Sequence, residues 1–76
     1  MNNQRRNRLT DAISLLERAS DIVEDVKSDE ESALDNMPEN LEGSERYEKM
    51  ESAVESLDDA ISSISDAIDS IGEAQD

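Results

Sequence analysis

The side chains able to do chemistry in this chain are carboxylates and almost nothing else. Twenty-one Asp and Glu stand against seven Lys and Arg, with no His and no Cys, and the formal charge is −14. Paired carboxylates can act as general acid and base, but only in a cleft that drives their pKa values apart. A chain this short offers little shelter for one. Without His or Cys there is no disulfide or thiol chemistry, no thiolate zinc site and no Glu-x-x-His di-iron motif. Around Asp35 to Arg46 the acids lack the alternation of a calcium loop, and the glycine comes too late. Clusters such as Asp29-Glu30-Glu31 and Asp58-Asp59 attract divalent cations only loosely. The sequence therefore assigns no catalytic residue, no cofactor and no metal. Direct nucleic-acid binding is disfavoured as well, because a surface this rich in acids repels phosphate.

What remains is the pattern in which the carboxylates are displayed. From Ala53 to Ala74 the chain repeats a seven-residue unit in which Ala is followed by an aliphatic residue and a second aliphatic stands three places on. Extended back to the lone aromatic, the apolar positions are Tyr47, Met50, Val54, Leu57, Ile61, Ile64, Ile68 and Ile71. That alternating spacing of three and four is a heptad seam and predicts a helix packed against another helix. With Val54 at position a and Leu57 at d, Ala53, Ala60, Ala67 and Ala74 fall at g, where a small side chain lets a partner helix come close. The outward b and f positions carry Glu48, Glu55, Asp59, Asp66, Asp69 and Glu73.

A first helix, from about 9 to 37, follows the same form. Leu9, Ile13, Leu16, Val23, Leu34 and Met37 lie on its seam, interrupted by Ser20, Lys27 and Glu30. Polar seam residues usually fix register or partner choice at some cost in stability. Leu15 and Ile22 fall at c, which faces water in a simple hairpin. Joined to Ala19 and Val26 at g they form a second apolar strip, read here as the interface with another subunit. The outward acids of this helix are Glu17, Asp21, Glu24, Asp25, Glu31 and Asp35.

Between the helices, Pro38 disfavours helical geometry at Met37, Gly43 loosens the chain, and Ser44 is a natural N-cap with Glu45 in the first turn. A break this short reverses the chain, so the helices should be antiparallel neighbours. Leu41 and Tyr47 are expected to close that end, with Tyr47 a core residue. The expected fold is all-α: an antiparallel hairpin of about 9–37 and 45–74, dimerising into a four-helix bundle. Self-association is expected because one hairpin leaves much apolar surface wet. Residues 1–8 form a basic arm with Arg5, Arg6 and Arg8, expected to lie beside Asp69, Glu73 and Asp76 at the other end of the hairpin, where cations also suit the helix dipole. No apolar run suggests a signal peptide or a membrane span, and the expected location is the cytoplasm.

The acids exceed what solubility requires, since a small domain manages with a net charge of about 2 to 8. Carboxylates three or four residues apart on a helix lie about 5 to 6 Å from each other, and each DNA strand presents a phosphate about every 3.4 Å. A homodimer, with its charge doubled to about −28, would offer a phosphate-like surface to a basic, DNA-gripping protein. As a small, Cys-free, strongly acidic helical protein, the chain resembles the DNA-mimic proteins of phages and mobile elements. Among these it is most similar to the Bacillus-phage host-takeover proteins that inhibit the nucleoid-associated protein HU. The resemblance implies occlusion: the twelve outward carboxylates named above would fill the surface through which an HU-type protein holds DNA. Two other readings stay open. One is a coiled-coil adaptor whose second helix pairs with another protein; the other is an anti-restriction or anti-CRISPR mimic with a different target.

Overall fold

The computed structural model describes residues 1–76 and is all-helical. Helix α1 runs Asn3–Asp35, a single 3-10 turn covers Glu39–Leu41, and helix α2 runs Glu45–Ala74. The two long helices pack against each other as an antiparallel hairpin. The result is a rod with principal extents of 59 × 15 × 12 Å.

Local chemistry explains each boundary. The side chain of Asn2 accepts a hydrogen bond from the Arg5 amide at 2.8 Å, satisfying one of the free donors at the start of α1. Helix α1 therefore begins six residues before the expected position 9, and the basic segment is its first turns rather than an arm. Its other end falls two residues short of the expected Met37, at Asp35, with Asn36 as C-cap. Pro38 supplies the reason, because its ring keeps Met37 out of helical geometry. The chain then crosses to α2 through Gly43, whose φ of +80° is a left-handed conformation that glycine adopts without a steric penalty. Ser44 caps α2, accepting from the Tyr47 amide at 3.2 Å, while Glu45 and Glu48 complement the helix dipole.

The seam is the only core. On α1 the half-buried positions are Arg6, Leu9, Ile13, Leu16, Ser20, Val23, Lys27, Glu30 and Leu34, an unbroken heptad series that starts in the arginines and continues to Met37 past the helix end, with Ala12 beside it. On α2 they are the expected Tyr47 through Ile71, with the flanking Ala53, Ala60, Ala67 and Gly72. No residue of the chain is fully buried. Two helices alone cannot wrap their shared stripe, so each seam side chain keeps an edge in water.

Lys27 sits on that seam and is held there by carboxylates. Its Nζ lies 2.9 Å from Asp58 on α2 and 3.7 Å from Glu31 one turn along α1. The hydrogen bond to Asp58, helped by the charges of Asp58 and Glu31, holds the Lys27 pKa above its ordinary value near 10.5 against an opposing desolvation. Tyr47 is also pushed up from about 10, first by desolvation and then by Glu51, Glu42 and Asp35. Both groups bind their proton more tightly when folded. The stability each contributes is whole below its unfolded pKa and is lost as pH rises through its folded one. The melting temperature should therefore fall above about pH 10. Lys27→Met, which leaves Asp58 and Glu31 without their cation, should lower the melting temperature at pH 7 by a few degrees and leave a shallower alkaline decline due to Tyr47. Thermal melts followed by circular dichroism from pH 7 to 11 check both points.

Candidate functional site

The contacts of Lys27 also fix how the rod is sided. Glu31 and Asp58 both occupy e positions, and one ammonium touches both, so the e flanks of α1 and α2 share one side of the seam. The groove on that side confirms it, since Glu17, Ser20, Asp21 and Glu24 of α1 line it together with Ile61, Ser65 and Ile68 of α2. The g flanks consequently lie together on the opposite side. An antiparallel pair of heptad helices thus has one e side and one g side, and here their chemistry differs.

The e side and the outer b and f rows are anionic. All twelve sequence-predicted carboxylates, Glu17, Asp21, Glu24, Asp25, Glu31 and Asp35 on α1 with Glu48, Glu55, Asp59, Asp66, Asp69 and Glu73 on α2, are exposed. Only Glu31 among them makes an ion pair, and that at 3.7 Å. The remaining ion pairs of the chain engage Asp58 and Glu45. The carboxylates are spread along both helices rather than gathered, and no group of three or more converges as a metal site would. The arrangement is a long, largely unpaired, negatively charged surface.

The expected pairing of the arginines with the end of α2 takes a different form. Neither Arg5, Arg6 nor Arg8 reaches Asp69, Glu73 or Asp76 within ion-pair distance. Instead the Arg6 Nε–H donates to the Gln75 carbonyl at 3.1 Å. That carbonyl is one of the free acceptors at the α2 C-terminus, where a cation also meets the negative end of the dipole. Arg6 lies at seam position a, which aims it across the hairpin, whereas Arg5 and Arg8 lie at g and c and face elsewhere.

The g side is of the opposite character. The second strip of α1 is open: Leu15 is 67% exposed, Ile22 55% and Val26 48%, with Ala19 exposed beside them. Sequence reasoning found this strip but missed its counterpart. On α2 the same g and c positions read Ala53, Ser56, Ala60, Ser63, Ala67, Ser70 and Ala74, a row of uniformly small side chains. The signal was the strict Ala and Ser alternation, but only the siding of the hairpin shows that the two strips adjoin.

No helix is long and apolar enough to cross a membrane. No protein-family model matches the chain, and no curated protein or solved structure is significantly similar to it.

Proposed function

We propose that this protein is a DNA mimic: two hairpins pair into a four-helix bundle whose carboxylates occupy the DNA-binding surface of a basic protein. An HU-type nucleoid protein is the favoured target, on the resemblance noted above. The carrying observation is the row of exposed carboxylates, all but Glu31 without an ion pair, along a 59 Å rod. Magnitudes support it. Duplex DNA carries one charge per about 1.7 Å of axis, so a 59 Å length bears roughly 35. One chain with −14 reaches less than half that density, and a pair would reach about four-fifths of it.

The adaptor reading is less well supported by the packing. It requires the apolar seam of α2, and Leu57 and Ile64 are already half-buried against α1. An anti-restriction or anti-CRISPR mimic shares the same physics and differs in its target.

Competition is the direct test. A purified HU-type protein is loaded on a labelled duplex of about 20 base pairs, and the acidic protein is titrated in. Displacement is expected at low salt, weakening at least about tenfold between 50 and 200 mM NaCl, since both partners are densely charged. Displacement of a restriction nuclease but not of the HU-type protein reassigns the target. No displacement of any basic DNA-binding protein at about 20 mM salt sinks the proposal.

A further inference from the structure

The net charge of −14 hides a segregation of charge within the chain. The g side of the rod carries Arg5, Arg8, Arg46 and Lys49 against a single acid, Asp29, and every other Asp and Glu lies elsewhere. More than half of the basic residues thus stand on the one face that is also apolar, at its two ends. Lys49 reaches Glu45 at 3.1 Å, while Arg5, Arg8 and Arg46 have no ion-pair partner. A basic partner would be repelled by such a face, and solvent exposure gains nothing from its Leu, Ile and Val.

The exposed area points to a protein of the same size. A globular monomer of 8.4 kDa exposes about 4,600 Å² by the usual scaling. This hairpin exposes 5689 Å². The excess of roughly 1,100 Å² is comparable to the ~800 Å² that each partner contributes to a standard interface.

We infer that the g side is an isologous interface with a second copy of this chain, with the two-fold axis along the rod so that the α1 strip of each copy lies on the Ala and Ser strip of the other. This extends the pairing proposed above by naming its face and arrangement, and it stands whatever the carboxylates bind. Size complementarity selects the arrangement. An axis along the rod places large side chains on small ones twice, whereas an axis across it stacks large on large and leaves small opposite small. Register agrees as well. The hairpin alignment that sets Arg6 beside Gln75 and Lys27 beside Asp58 carries over to the neighbouring copy, because the axis preserves height along the rod. It places Leu15 over the partner's Ala67, Ile22 over the partner's Ala60 and Val26 over the partner's Ser56. Lys49 then falls level with the partner's Asn36, one residue from the partner's Asp35. Arg8 falls beside the partner's Ala74, next to the acidic end of that helix. The basic ends thus meet acids, and the carboxylate rows of both copies point away from the contact.

Sedimentation equilibrium on the whole chain, followed by cysteine pairing, tests the inference. The wild type should sediment at twice 8.4 kDa with a melting temperature that rises with protein concentration. Leu15→Glu with Ile22→Glu should weaken association at least about 100-fold. Ser56→Glu with Ser63→Glu, at exposed positions that do not touch the seam, should do the same and guards against simple misfolding of the first variant. The chain has no native cysteine, so a mixture of Val26→Cys and Ser56→Cys chains should oxidise to a covalent pair, while each alone should not. A wild type that stays monomeric overturns both this inference and the paired form of the mimic. A dimer that survives both glutamate variants overturns the face alone. Covalent pairing of Val26→Cys with itself overturns the arrangement. Loss of DNA competition with the dimer intact leaves this inference standing and removes only the mimic.

Discussion

Ile64→Asp should abolish the fold at room temperature. Ile64 occupies the middle of the α2 seam, half-buried against α1, in a protein with no fully buried residue to hold the rest together. A domain of 76 residues has roughly 4–11 kcal/mol of stability at about 0.05–0.15 kcal/mol per residue, and a hairpin without a closed core belongs at the low end. Losing the apolar contacts of Ile64 and forcing a carboxylate into the seam costs about 3–5 kcal/mol. The far-ultraviolet circular dichroism of the variant should drop to that of a largely unfolded chain at micromolar concentration. Ser62→Asp, two residues away on an exposed row, adds the same charge without touching the seam and should keep most of the helical signal. Equal loss in both variants would mean that total charge, rather than the seam, limits stability.

That contrast explains how much of the fold was legible beforehand. Both bounds of α2 were written in the sequence, because Ser44, Glu45 and the seven-residue repeat are local signals and the structure obeys them from Glu45 to Ala74. The start of α1 was hidden because arginine is a poor marker of an apolar seam. Arg6 continues the heptad series by spanning the hairpin to the Gln75 carbonyl, and Asn2 supplies the cap. Read with those two roles in mind, the segment from Asn3 is already a helix. Ser20, Lys27 and Glu30 were recognisable as seam interruptions, but the choice of Asp58 as the Lys27 partner depends on the alignment of two helices. The candidate surface divides the same way. Exposure of the outward carboxylates follows from helical periodicity alone, whereas the meeting of two e flanks on one side and two g flanks on the other is a property of the hairpin.

Changing Asp59, Asp66, Asp69 and Glu73 together to their amides should move stability and binding in opposite directions. All four are exposed and none is in an ion pair, so neutralising them breaks no contact in the fold. It removes like-charge neighbours at i, i+3 and i, i+4, namely Asp66 with Asp69, Asp69 with Glu73, and Glu55 with Asp59, each unfavourable by a few tenths of a kcal/mol. The melting temperature should rise by several degrees as that repulsion is relieved. Competition with duplex DNA for the basic protein should instead weaken by roughly 10- to 100-fold, since exposed ion pairs are worth about 0.2–1 kcal/mol each and four are lost. The salt dependence should flatten at the same time, because fewer charges are brought together. An idle solvated surface predicts the gain in stability without any loss of binding, and an adaptor that uses its apolar seam predicts the same. Only a surface kept anionic for the sake of a basic partner, at some cost to the helices that carry it, gives the two opposite signs in one variant.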